Sequence, residues 1–136
     1  NGLGAYYIHS DESHRLKVKN SVTRKVLTSS AMNQKKLDII SELIPNVEIE
    51  KISSAVKFAY IAKGMGSFYP RFGPTYEWDT AAGQCILEES GGKVVSSNLS
   101  RLSYNKNKQY LNKEFFAFSG DSSFWEKVIT RLLQTS

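Results

Sequence analysis

The sequence predicts an α/β domain built as a mixed β-sheet flanked by helices. Three observations carry that expectation. Short β-rich runs such as Lys25-Val26-Leu27-Thr28 and Phe115-Phe116-Ala117-Phe118 alternate along the chain with helical runs. The helical runs place apolar residues three and four apart, as at Leu37, Ile40, Leu43 and Ile44. Pro45, Gly64, Gly66 and Gly91-Gly92 punctuate the boundaries. The 136 residues suit one domain over 1–136, and a composition of 40% hydrophobic and 12% aromatic residues supplies a core and excludes wholesale disorder.

Taken in order, Ala5 to Ile8 and Arg15 to Lys19 read as strands joined by the polar turn Ser10-Asp11-Glu12-Ser13. Leu16 and Val18 alternate there with Arg15, Lys17 and Lys19. Lys25 to Thr28 is the next strand. Asn33 to Ile44 is a helix that Pro45 closes. Val47 to Ile52 alternates imperfectly as a strand. Ser53-Ser54 caps a second helix, Ala55 to Lys63, apolar at Val56, Phe58, Ala59 and Ile61 and so expected to be buried. Ser67-Phe68-Tyr69 is extended. Asp79 to Ser90 is a third helix, stopped by Gly91-Gly92. Lys93 to Val95 and Glu114 to Phe118 are strands separated by a polar loop. Asp121 opens a last helix through Leu133, with Phe124, Val128, Leu132 and Leu133 spaced for packing.

Charge and cysteine content narrow the function classes. The formal charge is +5, from 18 Lys+Arg against 13 Asp+Glu. The basic residues are dispersed, from Arg15, Lys17, Lys19, Arg24 and Lys25 through Lys35-Lys36 to Lys106, Lys108 and Lys113. Acids such as Asp38, Glu42, Glu48 and Glu50 are interleaved. Nucleic-acid affinity needs clustered phosphate contacts, so a nucleic-acid partner is not expected. The single Cys85 excludes a disulfide framework and a multi-cysteine zinc site, and it reads as a small buried apolar residue in its helix. No run approaches the roughly 18 apolar residues of a membrane span. His9 and His14 lack partners at ligand spacing and read as surface residues.

One stretch concentrates chemistry: Phe68-Tyr69-Pro70-Arg71-Phe72-Gly73-Pro74-Thr75-Tyr76-Glu77-Trp78-Asp79-Thr80-Ala81-Ala82-Gly83. Its two prolines, two glycines and several aromatics make a rigid loop between a strand and a helix. Asp79, where that helix should begin, is either a cap for the orphan N–H groups or a ligand for a hard cation such as Mg2+, and both roles are compatible. Ala81, Ala82 and Gly83 let the helix approach its neighbours closely. Arg71 is a fixed charge whose planar fork suits a phosphate, or else an ordinary salt-bridged arginine. Ser54 alone is a cap and Lys57 alone a solvated charge, yet as a pair they could cradle an anion at a helix N-terminus.

Tyr69-Pro70-Arg71-Phe72-Gly73-Pro74-Thr75, followed by Trp78-Asp79-Thr80-Ala81-Ala82-Gly83 and Glu89-Ser90-Gly91-Gly92, closely resembles CysQ-type 3'(2'),5'-bisphosphate nucleotidases of the inositol monophosphatase-like family. The resemblance implies the C-terminal lobe of that sugar-phosphatase fold. It also implies a magnesium-dependent phosphatase converting 3'-phosphoadenosine 5'-phosphate to AMP and phosphate, linked to sulfate assimilation. By that resemblance Asp79 is a catalytic metal ligand beside the substrate phosphate, and Ser54, Lys57 and Arg71 contact phosphates. Ser53-Ser54-Ala55 stands where the family has Gly-Ser-Ser, and Ala31 stands where a histidine is common.

Family members also carry an N-terminal domain with a metal-binding Glu and an Asp-x-Asp-type loop, which these residues lack. The opening Asn1-Gly2-Leu3-Gly4-Ala5 has neither an initiating Met nor the plan of a signal peptide. The expectation is therefore one lobe of a longer, cytoplasmic protein, which includes the periphery of the inner membrane face. Two or more Mg2+ ions belong to the full-length enzyme, the missing domain being a partner. This chain alone is expected to bind metal weakly or not at all and to show little or no phosphatase activity. The alternatives are a lobe of an inositol or sugar phosphate phosphatase and a non-catalytic nucleotide- or anion-binding module.

Overall fold

Phe115-Phe116-Ala117-Phe118 carries no polar residue because both faces of its strand are covered, as continuous apolar runs imply. Phe116 and Phe118 enter one core layer, while Phe115 and Ala117 enter another on the opposite face. The computed structural model describes residues 2–18, 24–105 and 108–135. Asn1, Lys19 and Lys106 therefore lie outside the described residues.

The sheet holds five strands, in the order β4 (Glu48–Lys51), β3 (Lys25–Thr28), β5 (Phe68–Arg71), β9 (Phe115–Phe118), β7 (Lys93–Ser96). β4, β3 and β5 run parallel, while β9 is antiparallel to β5 and β7. The sheet is thus mixed, as expected. Helices α1 (Gln34–Leu43) and α4 (Ser122–Leu133) pack together on one face. Helices α2 (Val56–Ala62) and α3 (Glu77–Glu89) pack together on the other. The first layer centres on Phe68 stacked on Trp125 at 4.6 Å, with Val26, Ile40, Ile129 and Leu132 around them. The second joins Leu27, Phe58, Ile61, Tyr69 and Leu87. Gly83 lets α3 approach α2, since a Cβ there would stand 2.3 Å from the Phe58 ring.

Several boundaries differ from expectation. The hairpin strands are β1 (Ala5–His9) and β2 (Glu12–Leu16) rather than a second strand over Arg15–Lys19. Ser10 and Asp11 both adopt positive φ, 48° and 66°, so a two-residue turn suffices and the second strand starts early. Ser54 does not occupy the cap of α2; Ala55 does, with no side-chain bond, and Ser54 sits at φ 68°. α3 begins at Glu77, not Asp79, because Tyr76 is extended and serves as the N-cap. Cys85, Ala81 and Ala82 face outward rather than into the core. Leu133 is also on the outer face of α4, and Trp125 and Ile129 complete its buried stripe instead. The two-residue strands β6 (Thr75–Tyr76) and β8 (Leu111–Asn112) pair antiparallel, where the sequence carries no strand signal.

Candidate functional site

The alternation of β5 sends Phe68 into the α1/α4 layer and Tyr69 into the α2/α3 layer, with Arg71 two residues on. Arg71 is thus the last residue of a strand rather than part of a loop. It lines a cavity of about 470 Å³ between the end of β5, the start of α2 and the first turn of α3. Ser54, Lys57, Arg71 and Asp79, the residues singled out by sequence, all line it.

Lys57 is not a solvated charge: only 2% of it is exposed. Its ammonium donates to the carbonyls of Ile52 at 2.7 Å and Ser54 at 2.8 Å and lies 4.7 Å from the centre of the Tyr69 ring. Burial, reinforced by the nearby Arg71 charge, lowers its pKa to about 8. Two of its three protons are engaged, which leaves one donor available. Arg71 Nη2 reaches the Pro74 carbonyl at 3.5 Å, a marginal contact, and its buried Nε has no partner among the described residues. Ser54 Oγ accepts a long bond from the Val56 N–H at 3.4 Å.

Asp79 stands in the first turn of α3, and its Oδ2 reaches back to accept the Tyr76 N–H at 2.9 Å. This is the acidic half of a capping box, and it fixes the carboxylate's direction while leaving other lone pairs free. The turn is anchored from outside as well. Glu77 N–H donates to the Tyr110 carbonyl at 2.8 Å, and both Glu77 oxygens accept the Asn105 N–H, at 2.9 and 3.0 Å.

Sequence reasoning had not assigned a role to the aromatic wall of this cavity. Phe58, Tyr69 and Phe115 meet edge-on or stacked, with centroids 5.4 to 5.7 Å apart. Burial raises the Tyr69 hydroxyl pKa to about 12, so it stays protonated. Trp78 stacks on Tyr76 at 4.5 Å along the rim and is 66% exposed. The parity of Tyr69 and Arg71 on one strand was the available signal. The cavity thus combines one buried and one half-buried cation, one carboxylate and flat apolar surface, which suits an anion attached to an apolar or aromatic body.

Such a cleft at the strand ends of an α/β sheet marks a class of small-ligand proteins, and here the class is defined further by likeness. The chain belongs to the inositol monophosphatase family, whose pattern matches residues 1–134. Within it, the chain is 30% identical over 132 residues to the 3'(2'),5'-bisphosphate nucleotidase CysQ of Aggregatibacter actinomycetemcomitans, covering 93% of this chain and 49% of that protein. It is 41% identical over 78 residues to the CysQ of Buchnera aphidicola, covering 56% of this chain and 29% of that protein. The crystal structure of CysQ from Bacteroides thetaiotaomicron superposes with a TM-score of 0.72 at 26% identity, over 89% of this chain and 52% of that one. The chain therefore spans about half the length, or less, of these relatives.

Proposed function

We propose that this chain is the phosphate-binding lobe of a CysQ-type phosphatase acting on 3'-phosphoadenosine 5'-phosphate. The observation that carries this reading is the convergence on one aromatic-walled cavity of buried Lys57 and of the Arg71 Nε, which has no partner among the described residues. In this reading Arg71 and the free Lys57 proton hold a phosphate, with Ser54 adding a hydroxyl at the same mouth. The Phe58, Tyr69 and Phe115 wall takes the apolar part of the nucleotide and excludes water. An inositol phosphate offers no such surface to that wall, so the bisphosphate nucleotide is the preferred substrate. Hydrolysis would break the 3' P–O bond and clear a by-product of sulfate assimilation.

Mg2+ does not fit the described residues by themselves. Asp79 is the one carboxylate lining the cavity, opposed by two cations. Among the described residues no group of three or more His, Cys, Asp and Glu comes together to hold an ion. Mg2+ takes octahedral oxygen coordination, so further ligands would have to come from outside this set. We therefore assign this chain binding and orientation, with Asp79 contributing to metal ligation only in the longer protein. Among the described residues no helix is long and apolar enough to cross a membrane.

Calorimetric titration of 3'-phosphoadenosine 5'-phosphate into the chain tests the reading. Binding is expected, stronger than that of inositol monophosphate, and Arg71→Ala should weaken it about tenfold or more through loss of a charge-assisted bond. No heat of binding from the wild-type chain would reject it. Phosphate release with added Mg2+ should be near zero, and full-rate release would overturn the assignment of binding without catalysis. The lone carboxylate facing two cations also favours a second reading, a permanently non-catalytic anion-binding module. Joining the chain to the N-terminal half of a CysQ relative separates the two, since only the phosphatase lobe gains hydrolysis.

A further inference from the structure

We infer that Asn112 is a positioning residue that aims the Asp79 carboxylate, an inference that rests on the phosphatase reading for its importance but not for its geometry. Asn112 lies on β8, far from Asp79 in sequence, and only 8% of it is exposed. Its side-chain Nδ2 stands 3.0 Å from the Tyr76 carbonyl and 2.9 Å from Thr80 Oγ1, with Thr75 Oγ1 farther at 3.2 Å. An amide has two protons, and the two shorter contacts take them. Tyr76 and Thr80 flank Asp79 on either side, and the Tyr76 N–H is the group that holds Asp79 Oδ2 at 2.9 Å. One buried amide thus clamps both ends of the short segment that carries the carboxylate.

The clamp differs from ordinary helix capping in its reach. Asp79 itself is exposed, so packing does not fix its direction. The Tyr76 N–H does, and on the other side of the same residue Asn112 holds the Tyr76 carbonyl, which belongs to the next peptide unit. Thr80 is fully buried and orients its hydroxyl to the Glu77 carbonyl at 3.2 Å, which leaves its lone pairs for Asn112 and for the Tyr104 hydroxyl at 3.2 Å. Removing the Asn112 donors leaves the Tyr76 carbonyl without this bond, so the Tyr76–Glu77 peptide is held only through the Glu77 N–H on Tyr110 and the start of the turn loosens. The cost falls on where Asp79 points, whereas the two core layers contain neither residue.

Amide exchange in the isotopically labelled chain tests this without any ligand. In Asn112→Ala and in the isosteric Asn112→Asp, which replaces a donor by an acceptor, Tyr76 N–H exchange should accelerate about tenfold, the worth of one hydrogen bond. The Tyr76 amide proton resonance should move upfield toward its position in Asp79→Ala, which reports complete loss of that bond. The amides of Phe116 and Phe118 should keep their protection. Unchanged Tyr76 behaviour would overturn the inference, and so would acceleration of all amides together, which would mean that Asn112 serves the fold alone. Should neither variant fold, Thr80→Val removes one anchor while preserving shape, and it must then shift the Tyr76 resonance for the inference to stand. If the wild-type chain binds no nucleotide while the Asn112 variants show this pattern, the phosphatase reading is lost and the clamp is kept.

Discussion

At the scale of single residues, Lys57 concentrates the consequences. Its pKa near 8 places its loss of charge within easily reached pH, whereas an ordinary lysine keeps its proton to about 10.5. Anion binding by the chain should therefore be about tenfold weaker at pH 9 than at pH 7, one unit on each side of the transition. Lys57→Met should flatten that profile, and titrations with the nucleotide at several pH values would show it. The linkage has the opposite sign for folding. Between about 8 and 10.5 the unfolded chain holds the proton that the folded chain has released, so raising the pH across that window stabilises the fold. Sequence exposed the identity of this residue but not its state. Nothing in Ser54-Ala55-Val56-Lys57 distinguishes a solvated ammonium from one turned back onto the Ile52 and Ser54 carbonyls, because that choice depends on Tyr69 and Arg71 arriving from β5.

At the scale of elements, the contact between α2 and α3 is held to glycine distance at Gly83. Gly83→Ala would drive a methyl into the Phe58 ring, so the helices must part or the ring must leave its rotamer. A cost of about 1–3 kcal/mol is expected, read as a lower urea midpoint with an unchanged slope. Long periodic elements were legible: β3 occupies Lys25–Thr28 as expected, and α1 lies within the expected span, with Asn33 accepting the Lys35 N–H at 2.8 Å as its cap. Elements set by distant partners were not. Thr75–Tyr76 becomes a strand only because Leu111–Asn112 lies beside it, and that pairing starts α3 ahead of Asp79. The hairpin is tied down in a similar way, by Glu89 accepting the Gly2 and Gly4 N–H groups at 2.7 and 3.0 Å. Those bonds hold the Glu89 carboxyl below its usual range. Their contribution is thus present above the ordinary carboxylate pKa and is lost on acidification through the lowered one, and the Gly2 and Gly4 amide resonances should follow that loss.

At the scale of the whole molecule, two core layers share one sheet, and β9 belongs to both. Trp125 anchors the layer remote from the cavity, stacked on Phe68 and bonded through Nε1 to the Ser119 carbonyl at 2.7 Å. Trp125→Ala should destabilise the fold by about 3–5 kcal/mol in urea unfolding. Ligand affinity at saturating fold should be unaffected, because Trp125 does not line the cavity. The chain's two tryptophans consequently form a matched pair of optical reporters. Trp125 is sealed from solvent, so its emission belongs at the blue end and should resist iodide. Trp78 lies open on the cavity rim, red-shifted and accessible to the quencher. Iodide quenching of the wild-type chain should thus be fractional, and an occupant of the cavity would shrink the quenchable fraction while leaving the blue component untouched. The molecule carries its own internal standard for watching that mouth fill.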